Sequence, residues 1–140
     1  MSNAWSHLPN AHHIDWVLAS LKENSEFWSA AMSTAMSAAR GAAWSAARSA
    51  ARSAAWYAAI SAARDAARSA ARGAARDAAR DAAWGVIPAL VAYDDCDRFL
   101  DMSYEKLQVW AVLSEDPRAI LLLPMVYVSE QLNERMVTSA

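Results

Sequence analysis

The stretch from Trp28 to Gly85, WSAAMSTAMSAARGAAWSAARSAARSAAWYAAISAARDAARSAARGAARDAARDAAWG, decides the fold. It keeps one frame of four throughout: a variable residue, a small polar residue and two alanines, with Thr34 the one departure from the alanine pairs. The variable slot holds Trp28, Met32, Met36, Arg40, Trp44, Arg48, Arg52, Trp56, Ile60, Arg64, Arg68, Arg72, Arg76, Arg80 and Trp84. The next slot is serine except at Gly41, Gly73 and Gly85, at Asp65, Asp77 and Asp81, and at Tyr57. Alanine and arginine are strong helix formers and the stretch contains no proline, so its composition predicts helix and excludes strand.

A four-residue step advances about 400° around a helix, so each repeat lands about 40° beyond the last. No single face stays apolar, and the Arg/Trp stripe drifts too fast for a heptad seam. Unbroken, the helix would be about 87 Å long, far beyond the dimensions of a compact domain of this size. Breaks near Gly41, near Tyr57 to Ile60 and near Gly73 would leave pieces of about four repeats, over which the stripe drifts only about 120° and an alanine face can pack on neighbours. The predicted fold is all-α: a helical bundle, one domain over residues 1–140, with a leader at 1–27, the repeat at 28–85 and an acidic segment at 86–140. One long helix with small helical flanks is the alternative.

The flanks carry their own signals. Asn10 is placed to cap a helix over Ala11 to Glu23, in which Ile14, Val17, Leu18 and Leu21 share a face. Ser25 is placed to cap the helix entering the repeat. Pro88 suits the first turn of a further helix through Leu100, and Ser103 caps the next, where Tyr104, Leu107 and Trp110 lie on one side. Asp116 before Pro117 marks a last helix. Its segment Ile120 to Val128 is apolar all round and expected to be the most buried, with Pro124 bending or ending it. Each buried alanine removes little apolar area, so the core is expected to lean on Trp16, Trp28, Trp44, Trp56, Trp84 and Trp110 and on the C-terminal aliphatic residues.

The net charge of −2 conceals a division. Residues 1–27 carry −2, residues 28–85 carry +5 and residues 86–140 carry −5. The basic middle and acidic end are expected to neutralise each other within one molecule. Cys96 is the only cysteine, so no intramolecular disulfide can form. Met1 to Leu8 has no signal-peptide character, and the apolar run Ala119 to Val128 is too short to span a bilayer. A cytoplasmic protein with no membrane contact is the expectation.

Three glycines, all in repeat slots, leave no phosphate loop and no nucleophile elbow. Asp94, Asp95, Cys96, Asp97 and Asp101 have metal-ligating side chains. On a continuous helix, however, Asp94, Asp97 and Asp101 fall within about 60° of one another while Cys96 lies about 200° away. They predict a solvated acidic face with an Asp94–Arg98 ion pair. His12 and His13 are adjacent, hence about 100° apart on a helix, and Asp15 could orient His12. No metal, cofactor or catalytic residue is expected. The candidate binding surface is the stripe of Arg40, Trp44, Arg48, Arg52, Trp56, Arg64, Arg68, Arg72, Arg76, Arg80 and Trp84. Guanidinium groups bind phosphate and indoles stack on bases, but the rotation of the stripe and the negative total charge weigh against nucleic acid.

The repeat, the leader Leu8-Pro9-Asn10-Ala11-His12-His13-Ile14-Asp15 and the tail segments Tyr93-Asp94-Asp95-Cys96 and Ile120-Leu121-Leu122-Leu123-Pro124 resemble alanine-tetrad-repeat proteins of bacteriophages and bacteria. Similar tetrads occur in proteins assigned as immunity factors of bacterial toxin systems. The resemblance implies a mobile-element or conflict-system protein and supplies no catalytic residues. Together with the missing motifs it leads to a non-enzymatic helical protein that binds another, unidentified protein. Nucleic-acid binding through the stripe is the alternative, and an enzyme using His12 and Asp15 the second. The sequence leaves oligomerisation open.

Overall fold

The computed structural model describes residues 5–38, 41–54, 57–70, 76–114 and 116–139. Among these residues there is no strand, and the chain forms α1 (Ala11–Glu23), α2 (Ser25–Ala38), α3 (Gly41–Ala54), α4 (Tyr57–Ala70), α5 (Arg76–Ala92), α6 (Asp97–Leu100), α7 (Tyr104–Ser114) and α8 (Pro117–Ser139). α5 and α8 pack on each other at the centre. α2 and α3 lie against both of them, α1 and α4 flank α5, and α6 and α7 flank α8.

The repeat is therefore an all-α bundle divided into helices. α2, α3 and α4 have 14 residues each and begin at Ser25, Gly41 and Tyr57, sixteen residues apart. The expected break near Gly73 falls outside the described residues. The drift of about 40° per repeat gives a reason for this spacing. At the first variable slot of each helix the side chain is buried: Trp28, Trp44 and Ile60 are 0%, 3% and 4% exposed. One repeat on, Met32 and Arg48 are half-buried; two repeats on, Met36, Arg52 and Arg68 are exposed. A fourth repeat in the same helix would carry the slot further into water. Each new helix starts again with a large apolar residue facing inward. Among the described residues the last alanine of the tetrad stays inside, as at Ala31, Ala47, Ala63 and Ala79, with Ala43 half-buried. Its small size lets helix backbones approach closely.

Proline neither restarts a helix at Pro88 nor ends one at Pro124. α5 continues through Gly85 and Pro88 to Ala92 instead of restarting at Pro88, and α8 runs through Pro124. A proline inside a helix costs about 3 kcal/mol, whereas full burial of one Val, Leu or Ile side chain contributes about 1.5–3 kcal/mol. Val86, Ile87, Leu90 and Val91 around Pro88, and Ile120 to Leu123, Met125 and Val126 around Pro124, are all buried. Tertiary burial outweighs local propensity in both central helices.

The large aromatic residues divide unevenly. Trp28 and Trp44 are core, Trp16 and Trp84 are half-buried, and Trp56 lies outside the described residues. Trp110 corrects the expectation, since it is 43% exposed, and Trp5, 7% exposed, joins the core unforeseen. On α7 the buried side is Leu107 and Ala111.

Capping follows the sequence in part. Ser103 Oγ accepts from Lys106 N–H at 3.2 Å, and Glu130 of α8 accepts from Tyr104 N–H at 2.7 Å, so two side chains close the start of α7. Ser25 instead donates its hydroxyl back to the Leu21 carbonyl. Asn10 precedes α1 but makes no side-chain cap there. Its buried amide donates to the carbonyls of Leu90, at 3.0 Å, and Tyr93, at 2.6 Å, satisfying acceptors at the C-terminal end of α5.

Asp116 Oδ1 caps α8 by accepting from Arg118 N–H at 2.9 Å, and Oδ2 accepts from the Arg118 guanidinium at 2.9 Å. Arg118 also donates to both oxygens of Asp95, at 2.6 and 2.8 Å, and lies 5.0 Å from the Phe99 ring centre, tying α8 to the segment before α6. Burial pushes the Asp116 carboxyl up, but the hydrogen bonds and charge of Arg118 outweigh it and hold the group below its ordinary value of 3.8. A carboxyl depressed in the folded state stabilises above its unfolded pKa and loses that contribution as pH falls through the folded value. Stability to urea should therefore fall between about pH 5 and pH 2, and Asp116→Asn, which keeps a capping oxygen, should flatten that part of the profile. Parallel pH profiles for both proteins would refute the assignment.

Candidate functional site

The first turn of α1 carries His12 and His13, and the α5–α6 junction brings Asp97 to them from more than eighty residues away. His13 Nε2 lies 2.5 Å from Asp97 Oδ1, and the His12 and His13 ring centres are 3.9 Å apart. One donor atom from each of His12, His13 and Asp97 falls within 4.8 Å of the others. The separation expected for adjacent histidines describes where the Cβ atoms leave the helix; rotation about the side-chain torsions brings the rings together. The hydrogen bond from His13 holds the exposed Asp97 carboxyl below its ordinary value. Asp15, the expected partner of His12, accepts instead from the Trp5 indole N–H at 2.9 Å.

The helical projection of residues 94–101 also fails, because Asp94 to Cys96 form a turn and α6 starts only at Asp97. Asp94 is exposed. Asp101, also exposed, lines a cavity of about 320 Å³ together with His12, His13, Trp16, Leu100, Met125, Val126 and Ser129. Cys96 does point away from these carboxylates. It is fully buried, with its thiol towards the Ala89 and Tyr93 carbonyls, and burial pushes its pKa up to about 12.

The arginine and tryptophan stripe does not form one surface. Trp44 is in the core, and Arg48 is half-buried. Arg52 and Arg68 are exposed on α3 and α4. Arg80 pairs with Asp77 at 3.1 Å and lies 5.5 Å from the ring centre of half-buried Trp84. Arg40, Trp56 and Arg72 lie outside the described residues, as do the side chains of Arg64 and Arg76. The ion pairs of Asp95, Asp97 and Asp116 run to Arg118 and His13, not to arginines of the repeat.

Among the described residues, a contiguous apolar surface remains open on α7. Val109, Trp110, Val112 and Leu113 are 55%, 43%, 58% and 78% exposed. At about 100° per residue they span about 160° of the helix, the side opposite Leu107 and Ala111. A groove of about 550 Å³ continues from it, lined by Met102, Ser103, Glu105, Lys106, Val109 and Trp110. The tetrad frame distracts from this face, but four large apolar residues in five, interrupted only by Ala111, exceed what one side of a surface helix can bury and were a readable signal.

No helix among the described residues is long and apolar enough to cross a membrane. No protein family, no curated protein and no solved structure matches the chain.

Proposed function

We propose that this is a non-enzymatic cytoplasmic protein that acts by binding another protein through the outward face of α7. The exposure of Val109, Trp110, Val112 and Leu113 carries the reading. Leaving four large apolar side chains contiguous in water has no benefit to the fold, and such patches rimmed by polar groups mark interaction sites. Trp110 supplies a hot-spot residue type, and Glu105 and Lys106 supply a polar rim. The resemblance to phage and bacterial tetrad-repeat proteins suggests the class of partner, a toxin or defence factor neutralised by a mobile-element protein. The Arg/Trp stripe offers nucleic acid less, since Trp44 is buried and cannot stack on a base.

The test is affinity purification from the native host with wild type and with a Val109→Glu/Leu113→Glu variant. Both substitutions are on the exposed face and should change stability by no more than about 0.5 kcal/mol each. One stoichiometric protein bound to wild type and absent from the variant is expected. Recovery of nucleic acid alone, equal capture by both, or no stoichiometric partner would each refute the proposal.

A further inference from the structure

From the geometry we infer that His12, His13 and Asp97 form a binding site for a divalent transition-metal ion of the zinc or cobalt kind, joining α1 to α6. The site is independent of the α7 face. Its donor set is two imidazole nitrogens and one carboxylate oxygen, all within 4.8 Å of one another. That combination suits Zn²⁺, Co²⁺ or Ni²⁺, whereas Mg²⁺ and Ca²⁺ prefer all-oxygen shells.

The size of the cluster fits after a small adjustment. Metal–nitrogen bonds of about 2.0–2.1 Å in tetrahedral geometry place neighbouring donors about 3.3 Å apart. His13 Nε2 and Asp97 Oδ1, at 2.5 Å, must open by less than an ångström once the hydrogen bond between them is replaced by two bonds to the ion. With every donor pair within 4.8 Å, none must close by more than about 1.5 Å to reach tetrahedral spacing. His12 and Asp97 are exposed, so rotation about their side-chain torsions supplies both movements without disturbing the core.

Neutralising the Asp97 carboxylate favours the bound state. His12 and His13 also line the cavity that contains Asp101 and Ser129. Three protein donors leave at least one coordination position for water, and Asp101 and Ser129 are available to hydrogen-bond water within that cavity. Because the ion bridges the first turn of α1 and the first residue of α6, binding to the folded chain alone must raise the melting temperature.

The test uses the full chain, freed of metal by chelation, titrated with ZnCl₂ and CoCl₂ in a calorimeter and melted with and without ZnCl₂. One ion per chain with a dissociation constant of about 10 µM or tighter is expected, with a higher melting temperature in zinc. His12→Ala, His13→Ala and Asp97→Asn should each weaken binding at least tenfold and lose the thermal shift. His7→Ala, outside the cluster, should keep both, and circular dichroism should show all four variants folded. Absence of binding at 100 µM ZnCl₂, or binding that survives His13→Ala and Asp97→Asn, overturns the site. A variant that fails to fold is replaced by His12→Gln or His13→Gln, held to the same outcomes.

Discussion

Trp28→Ala is expected to destabilise the protein by about 3–5 kcal/mol, the range for removing a buried aromatic side chain from a core. Trp28 is 0% exposed at the start of α2, which packs on both central helices. Its indole N–H donates to Ser20 Oγ at 3.1 Å, and its ring meets Trp16 with centres 6.4 Å apart. Much of the surrounding repeat is alanine, which has no side-chain torsion with which to refill a void. Closing the cavity would require whole helices to move, so the cost belongs near the top of the range. Domains of this size have a total stability of about 5–15 kcal/mol, so the loss removes a substantial fraction of it. Trp28→Phe should cost clearly less. Urea denaturation measures both, and a loss below about 1 kcal/mol for Trp28→Ala would show that the α2 contact is not part of the core.

Gly85→Ala separates local from tertiary reasoning by its sign. Helix propensity alone favours alanine over glycine by about 1 kcal/mol in a helix interior, and Gly85 lies inside α5. A Cβ there would stand 2.7 Å from Cη2 of Trp44 and closer still to Cζ2. Trp44 is 3% exposed, so its ring cannot simply swing into solvent, and overpacking of this kind costs about 1–3 kcal/mol. The clash should win, giving net destabilisation of up to about 2 kcal/mol. Trp44→Leu should remove most of the penalty for alanine at 85, a coupling that a double-mutant cycle reads directly. Stabilisation by Gly85→Ala in the wild-type background would mean that α3 and α5 do not meet at this point.

Local signals made the helices legible. Ala11 to Glu23, the starts of α3 at Gly41 and α4 at Tyr57, the Ser103 cap and the Asp116–Pro117 start all depend on propensity, capping and repeat drift, which act within a few residues. The sixteen-residue period of Trp28, Trp44 and Ile60 was also present in the sequence, beneath the more obvious period of four. What could not be read depends on contacts distant along the chain. Nothing near Pro88 shows that α5 continues through it, because burial against α2, α3 and α8 supplies the compensation. Asn10 looks like a cap until Leu90 and Tyr93 are brought beside it. Asp97 joins two histidines only because a turn at Asp94 to Cys96 sets the direction of α6. The arginine stripe shows the same limit from the other side: a regular sequence pattern became a graded series from buried to exposed, not a surface.

The packing of the repeat helices on α5 and α8 underlies the burial of Trp28 and Trp44. Small-angle X-ray scattering of the dilute monomer tests it most directly. A folded-back chain of 140 residues should give a radius of gyration of about 14 Å with a bell-shaped Kratky profile. A single helix through residues 28–85, about 87 Å long, would give about 25 Å or more and would contradict the bundle.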